Sequence, residues 1–354
     1  MNCKTIIRAF IFIAIILGSL TIKNASAQQH PINEPNEPSS LVKWMDFKTA
    51  FAENKKNPKP FLIDIYTDWC GWCKKMMKTT YSNPAIAEYI NNYFYPVKYN
   101  AETKDTIWFK DSMYVNRGSG PRPVHDLAYQ LLGNRQSYPT TVVLFNDLKN
   151  QAPIPGYLDE KQIEPVLIFF VETVYMNCQF EDFNEYFQKA FVDTSKLYKK
   201  APLKKYTFEQ AEKLSQKEPR KWLVNINTEW CNSCRTMNKA VLSDSILADY
   251  INKNYYYIDF NAQQKDSIRF LNYTYHYKES ITNMPINELA PALTGGSLIL
   301  PSLIVLDEKM QRLDVVQRFL VPKMLNTVLH FYGDDAYKTK QWAEFRDNFY
   351  LPKK

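Results

Sequence analysis

Residues 64–73, with the sequence DIYTDWCGWC, decide the fold because a short β-leaning run leads directly into two cysteines three positions apart. Residues 225–234, NINTEWCNSC, repeat this arrangement. In both stretches we predict that the first cysteine begins a helix. Free backbone N–H groups and the helix dipole stabilise a thiolate at that position. The second cysteine lies one turn further on, close enough to form a small disulfide ring and to resolve a mixed disulfide.

The similarity of these two stretches extends along most of the chain. At an offset of 161 residues, EYIN at 88–91 aligns with DYIN at 249–252. After about residue 120 the offset becomes 162, so that Pro139 aligns with Pro301. A repeat of this length is a whole domain rather than a solenoid unit. The predicted domains are residues 41–195 and 202–354, joined by a short lysine-rich link.

The composition agrees with two packed domains. The chain has 354 residues, of which 45% are hydrophobic and 23% charged, which excludes a disordered or collagen-like protein. The formal charge is +7, and setting aside Lys4, Arg8 and Lys23 of the N-terminal segment lowers it to +4. This mild and scattered charge argues against a nucleic-acid partner.

The N-terminus has the pattern of a targeting segment. Two basic residues precede an apolar run at residues 11–20, and the small residues ASA follow at 25–27. This order predicts a secretory signal peptide over residues 1–27, cleaved near Ala27; the alternative is an uncleaved N-terminal anchor. Residues 28–40 are polar and proline-rich and predict a flexible lead-in. No later run is long enough to span a membrane, so we expect a periplasmic or secreted protein in an oxidising compartment.

Helical and strand patterns alternate within each copy, which is typical of an α/β domain. Strands are predicted at residues 61–66, 95–99 and 140–145 in the first copy, and at 222–227, 256–260 and 302–306 in the second. Helices are predicted at residues 42–54 and 203–215, after each cysteine pair with a break at Asn83-Pro84 in the first copy, and at 162–171 and 323–331. Residues 104–137 predict a long loop near the proline edge of the first copy.

At residues 64–73, with Trp69 directly before Cys70, the sequence resembles the active-site segment of thioredoxin. The tripeptides Tyr138-Pro139-Thr140 and Leu300-Pro301-Ser302 resemble the cis-proline loops of that family. The chain is most similar to the thioredoxin-like domain of the Dsb-type membrane electron transporter and its secreted relatives. The resemblance implies two tandem thioredoxin-like domains, each with a mixed central sheet flanked by helices.

The resemblance also implies the chemistry of a thiol–disulfide oxidoreductase. Cys70 and Cys231 are the implied nucleophiles, Cys73 and Cys234 the resolving cysteines, and the redox-active disulfides replace any other cofactor. The residues implied to contact substrate or to form the cis-proline loops are Trp69, Trp230, Tyr138, Pro139, Leu300 and Pro301.

The four paired cysteines have two alternative roles: a pair of inert structural disulfides, or one shared zinc site. Zinc requires four converging ligands, and the cysteine pairs of a zinc ribbon are usually ~15–20 residues apart. Cys73 and Cys231 are much further apart than that and lie in different predicted domains, so we predict no metal site. Cys178 has no counterpart in the repeat, and we expect a half-buried inert thiol there.

The two copies differ at the position of the family's buried carboxylate. The resemblance implies that Asp64 accepts the proton of the resolving cysteine and that Lys98 is its charge partner on the next strand. Burial raises the pKa of such a carboxyl toward neutrality. The second copy has Asn225 and Asp259 instead. Either Asp259 performs the same task from the facing strand, or the second site is slow and acts as a relay, a platform or a stable disulfide.

These features together predict a secreted thiol–disulfide oxidoreductase that exchanges disulfides with proteins. Neither dipeptide between the cysteines contains histidine, which favours a reductase or isomerase over a strong oxidant. A reducing role in an oxidising compartment requires a membrane thiol–disulfide electron donor as a partner. The alternative hypothesis is a non-catalytic protein-binding module that contains two structural disulfides.

Overall fold

The computed structural model describes residues 40–133, 135–193, 203–279 and 285–350. The predicted signal peptide, nearly all of the lead-in and most of the link lie outside the described residues. We refer to the described residues before the link as the first unit and to those after it as the second unit. The domain boundaries at 41–195 and 202–354 stay a prediction.

The helices are α1 (Phe47–Lys56), α2 (Gly71–Lys78), α3 (Pro84–Tyr93), α4 (Asp126–Leu132), α5 (Glu160–Val171), α6 (Phe180–Phe191), α7 (Phe208–Ser215), α8 (Asn232–Thr236), α9 (Ser245–Asn254), α10 (Leu289–Thr294), α11 (Pro322–Gly333) and α12 (Trp342–Asn348). The strands are β1 (Phe61–Tyr66), β2 (Tyr95–Asn100), β3 (Ile107–Phe109), β4 (Ser112–Tyr114), β5 (Thr140–Leu144), β6 (Gln151–Pro155), β7 (Lys221–Asn227), β8 (Tyr255–Asn261), β9 (Ile268–Phe270), β10 (Tyr273–Tyr275), β11 (Tyr277–Lys278), β12 (Ile286–Asn287), β13 (Ser302–Leu306) and β14 (Arg312–Gln317). A π-helix, Met237–Val241, continues from α8.

Each unit is built on a four-stranded mixed sheet. The strand orders are β2-β1-β5-β6 and β8-β7-β13-β14. β1 pairs with β2 in parallel and with β5 antiparallel, and β7 pairs in the same way with β8 and β13. The central strands β1 and β7 are almost entirely buried because helices cover both faces of the sheet. The predicted fold class, two tandem thioredoxin-like arrangements of mixed sheet and helices, is confirmed.

The predicted break at Asn83-Pro84 is where α3 begins; α2 already ends at Lys78, and a 3-10 turn, Thr80–Ser82, lies between the two helices. Asn83 caps α3 by accepting hydrogen bonds from the backbone N–H groups of Ala85 and Ile86, at 3.0 and 3.2 Å, and Pro84 occupies the first helical position. Proline is tolerated there because that N–H has no partner within the helix. Asp244 caps α9 of the second unit in the same way.

Three features of the first unit differ from the sequence prediction. The first helix begins at Phe47, after the cap Asp46, and not at residue 42. Residues 104–137 are not one long loop: they contain the β3–β4 hairpin and α4, which begins at the buried cap His125. The edge strand β6 was not predicted because its sequence, QAPIP, contains two prolines. Proline is compatible with an edge strand, since it lacks only the N–H that a further strand would use.

The two units share a hydrophobic core. One of the buried clusters contains residues of both sheets, and at its centre Phe183 of α6 packs edge-on against Phe319 of the second unit, with ring centroids 5.2 Å apart. α6 also packs against α8 and the π-helix of the second unit. The C-terminal helices of the first unit therefore lie directly beside the second cysteine pair.

Candidate active sites

The first cysteine pair lies at the start of α2. Cys70 is the N-cap residue, and its sulfur accepts the backbone N–H of Cys73 at 3.1 Å. The two cysteines form a disulfide, with an S–S distance of 2.03 Å and Cα atoms 5.3 Å apart. Gly71, the first helical residue, faces open space at the position where a Cβ would stand. The helix N-terminus beside Cys70 thus has room for another molecule.

Asp64 lies on β1 and is fully buried. Its Oδ1 is 3.5 Å from the Tyr81 hydroxyl, and its Oδ2 has no hydrogen-bond partner among the described residues. Burial raises the pKa of Asp64 to about 7, and the hydrogen bond from Tyr81 lowers it by less. A carboxyl with this pKa takes up and releases a proton near neutral pH, as a general base requires.

Lys98 and Asp64 are register partners on the parallel strands β2 and β1. The Lys98 ammonium lies 4.6 Å from the centroid of the Tyr66 ring. The pKa of Asp64 follows from burial and Tyr81. The role of Lys98 as a charge partner of Asp64 stays a prediction.

Aromatic side chains surround the first pair. Trp69 is half-exposed, donates its indole N–H to Glu102 at 2.9 Å, and packs edge-on against Tyr138, with centroids 6.0 Å apart. The Tyr138–Pro139 peptide bond is cis, which confirms the conformation implied by the resemblance. Arg122 lies 4.7 Å over the Trp69 ring. Sequence reasoning did not identify Glu102 and Arg122, because neither belongs to a motif around the cysteines.

The second cysteine pair repeats the local geometry of the first. Cys231 caps α8, its sulfur accepts the N–H of Cys234 at 3.1 Å, and the two form a disulfide with Cα atoms 5.2 Å apart. Trp230 is exposed to a similar extent as Trp69. The Leu300–Pro301 bond is cis, again as implied.

The buried polar group near the second pair is an amide network. Asn225 donates to Asn238 Oδ1 at 2.8 Å and to the Tyr257 hydroxyl at 3.1 Å. Its repeat counterpart Asp64 instead faces the Tyr81 hydroxyl. The Asn225 Oδ1 has no hydrogen-bond partner among the described residues. Because an amide cannot take up a proton, Asn225 donates hydrogen bonds here without offering a base.

Asp259, the proposed substitute carboxylate, is the register partner of Asn225 on β8. Its Oδ1 accepts the Asn227 amide at 2.7 Å, and its Oδ2 is 2.5 Å from the Lys205 ammonium. Both oxygens are therefore engaged, in a more exposed setting than that of Asp64. The catalytic role of Asp259 stays a prediction.

Sequence reasoning missed Glu172, the residue that follows α5. Its carboxylate belongs to the first unit but contacts the start of α8: Oε1 accepts the N–H of Asn232 at 2.9 Å, and Oε2 accepts the N–H of Ser233 at 2.7 Å. Burial raises the pKa of Glu172, while these hydrogen bonds lower it by less. The repeat alignment holds no signal for this contact, because it depends on how the two units pack.

Other groups in the described ranges have simpler roles. Burial raises the pKa of the half-buried Cys178 thiol to about 11, which agrees with the expected inert thiol. His125 lies in the core, 2.8 Å from the Tyr99 hydroxyl. Among the described residues, no group of three histidine, cysteine or acidic side chains is placed to hold a metal ion. Over the same ranges, every helix is too short or too polar to cross a membrane.

Comparison with known proteins gives similarity to part of the chain. Residues 32–151 match the family model Thioredox_DsbH, described as a protein of unknown function, DUF255. The thiol:disulfide interchange protein DsbD of Pectobacterium atrosepticum is 39% identical over 46 residues, or 13% of this chain and 8% of that protein. An uncharacterized protein of Caenorhabditis elegans is 28% identical over 112 residues, or 31% of this chain and 15% of that protein.

Among solved structures, a thioredoxin-fold protein from Helicobacter pylori has a TM-score of 0.29 and 19% sequence identity, covering 37% of this chain and 84% of its own. The chain spans less than a sixth of the length of either curated relative named above. With two Cys-x-x-Cys disulfides at helix N-termini and two cis-prolines, the chain has a fold of the thiol–disulfide oxidoreductase type. In sequence, it resembles the Dsb-type thioredoxin-like proteins over part of its length.

Proposed function

We propose that the protein is a thiol–disulfide oxidoreductase whose first cysteine pair exchanges disulfides with protein substrates, as a reductase or isomerase. The observation that carries the proposal is the combination of an open helix N-terminus beside Cys70 with a buried carboxyl, Asp64, whose pKa is about 7. An inert structural disulfide needs neither feature.

The proposed reaction transfers two electrons from the cysteine pair to the substrate. The Cys70 thiolate attacks one sulfur of a substrate disulfide, which forms a mixed disulfide and releases the other substrate sulfur as a thiolate. Cys73 then loses its proton to Asp64 and attacks the Cys70 sulfur, which releases the second substrate thiolate. The pair ends oxidised and the substrate reduced, so each cycle requires reduction by a thiol donor.

The aromatic side chains around Cys70 support a protein substrate. Trp69 and Trp72 are exposed by 50% and 57%; Trp69 packs against Tyr138 of the cis-proline loop, and Trp72 packs against Tyr157. Large exposed aromatic side chains are favoured at protein contacts. We further propose a periplasmic or secreted location and a membrane thiol–disulfide donor. The leader pattern of residues 1–27 supports the location, and the need for re-reduction supports the donor.

Reduction of insulin by dithiothreitol tests this function. The full chain should accelerate the reaction, and Cys70→Ser should remove the larger share of that acceleration, because the first site loses its attacking sulfur. Cys231→Ser should remove the smaller share of the activity. Equal rates for the wild-type protein and Cys70→Ser would contradict the proposal and favour the protein-binding module with two structural disulfides.

A further inference from the structure

The carboxylate of Glu172 occupies the helix N-terminus of the other unit's active site. Besides accepting the N–H groups of Asn232 and Ser233, its Oε2 lies 3.8 Å from the Cys231 sulfur. Backbone N–H groups at this position normally stabilise the thiolate of the first cysteine. Glu172 takes the N–H groups of Asn232 and Ser233, leaves that of Cys234 to the Cys231 sulfur, and adds a negative charge beside the sulfur.

The first unit shows the same position without such a carboxylate. Within the described ranges, no carboxylate is hydrogen-bonded to the N–H groups of Gly71 and Trp72, and Gly71 faces open space. Trp72 is 57% exposed, whereas its repeat counterpart Ser233 is fully buried. The start of α2 is therefore open to solvent, whereas the start of α8 is covered by the first unit.

The charged and titratable groups around Glu172 come from three helices. Tyr89 of α3 lies close enough for Glu172 to raise its pKa, and its hydroxyl contacts the side chain of Asn232. Glu164 of α5 faces Arg235 of α8, which lowers the pKa of Glu164 by less than burial raises it. Glu172 itself bonds the N–H and O–H groups of the α8 N-terminus. Its charge therefore acts on Cys231 without an ion pair from the described residues to neutralise it.

We propose that Glu172 is a positioning residue through which the first unit sets the reactivity of the second cysteine pair. It holds two of the N–H groups at the start of α8, those of Asn232 and Ser233, and its carboxylate opposes a negative charge on the Cys231 sulfur. Reduced Cys231 then stays protonated at neutral pH, and the Cys231–Cys234 pair favours the disulfide. This deepens the proposed function, on which it rests only in treating the second pair as reducible. A dithiol that reduces the pair becomes a disulfide, and each cysteine gains one proton.

The test measures the ionisation of Cys231 in the full chain. In a Cys70→Ser, Cys73→Ser and Cys178→Ser background, only the second pair retains thiols within the two units. After reduction with dithiothreitol, the rate of Cys231 alkylation by iodoacetamide is followed by mass spectrometry from about pH 5 to about pH 10. The midpoint of the rate's rise with pH gives the pKa of the Cys231 thiol. With Glu172 present, this midpoint should lie above the value of about 8.5 for a free thiol.

Removing the charge of Glu172 should make the Cys231 thiol easier to ionise. Glu172→Gln is expected to lower the midpoint by about one unit or more and to raise the alkylation rate at pH 7 about tenfold. Glu172→Asp, which keeps the charge, should stay closer to the wild-type profile than Glu172→Gln does. The matched control is Asp334→Asn at the same repeat position of the second unit, where the carboxylate binds Tyr250 and His330 and the substitution should leave the profile unchanged.

Two results would overturn the inference. One is an unchanged midpoint in a folded Glu172→Gln protein. The other is a midpoint at or below about 8.5 with Glu172 in place, a measurement that stands even if the variant does not fold. Alkylation requires no substrate turnover. A protein that fails the insulin assay can therefore still support this inference, and the two failures are distinguishable.

Discussion

The two cysteine pairs have nearly the same local geometry but different surroundings. Each first cysteine caps a helix, with the N–H of the second cysteine 3.1 Å from its sulfur. Near Cys70 the buried strand carries an ionisable carboxyl, Asp64, and the helix N-terminus is open. Near Cys231 the strand carries an amide, and a carboxylate of the other unit covers the helix N-terminus. The motif alone therefore does not determine reactivity, because groups outside it control the proton and the access.

The C-terminal helix of each unit shows the same dependence on context. α6 buries Phe183, Phe187 and Ala190, because it lies between the first unit and the active-site helix of the second. Its repeat counterpart α12 has no buried residue. The same element is thus part of the core in one unit and a surface helix in the other.

The largest expected effect comes from breaking this packing. Phe183→Ala should lower the free energy of unfolding by about 3–5 kcal/mol, since it removes a fully buried ring between the units. Urea denaturation of the full chain measures the change. The matched control is Phe345→Ala at the equivalent, half-buried position of α12, where the cost should be clearly smaller. Equal costs would show that the buried position of α6 adds nothing to stability.

A smaller effect is expected from making the first site like the second. Asp64→Asn should slow disulfide exchange at Cys70 about a hundredfold near pH 7, because the amide cannot accept the proton of Cys73. Insulin reduction in a Cys231→Ser background measures this. Asp68→Asn, at an exposed carboxylate of the same segment, is the control and should leave the rate nearly unchanged. If both variants lose activity equally, Asp64 is not the base.

The same substitution should change how stability depends on pH. The pKa of Asp64 is about 7 when folded and about 4 when unfolded, so the native state binds this proton more tightly. Its ionisation therefore lowers stability as pH rises from about 4 to about 7, by up to about 4 kcal/mol in all. Asp64→Asn should remove that slope. Urea denaturation at pH 4 and at pH 8 measures the free energy of unfolding of both proteins. If that free energy changes by the same amount between the two pH values in both, the raised pKa of Asp64 is contradicted.

The smallest effect concerns Tyr81. Its hydroxyl is 3.5 Å from Asp64 Oδ1, a long hydrogen bond that lowers the pKa of Asp64 slightly. Tyr81→Phe should therefore raise that pKa and shift the midpoint of the pH–rate profile upward by less than about one unit. Tyr95→Phe, whose hydroxyl bonds the backbone of α1 and its cap, should leave the midpoint in place. A downward shift would reverse the role assigned to Tyr81.

The local structure of both sites could be predicted from the sequence. Apolar runs before the cysteines, the Asn83-Pro84 break and the repeat offset are short-range signals, and each corresponds to a described element. Edge strand β6 and the β3–β4 hairpin were missed, because prolines and three-residue strands give weak periodicity. The difference between Asp64 and Asn225 was visible in the sequence, but the partners of Asn225 were not.

By itself, the sequence determined two copies of one α/β fold, a cysteine pair at the start of a helix in each, and an acid in one copy replaced by an amide in the other. These properties depend on residue type and on spacing along the chain. Tertiary structure alone decided that Glu172 lies on the second pair and that α6 is buried while α12 is not. Such contacts join residues about 60 positions apart and in different units, and they depend on packing between surfaces that local patterns do not encode.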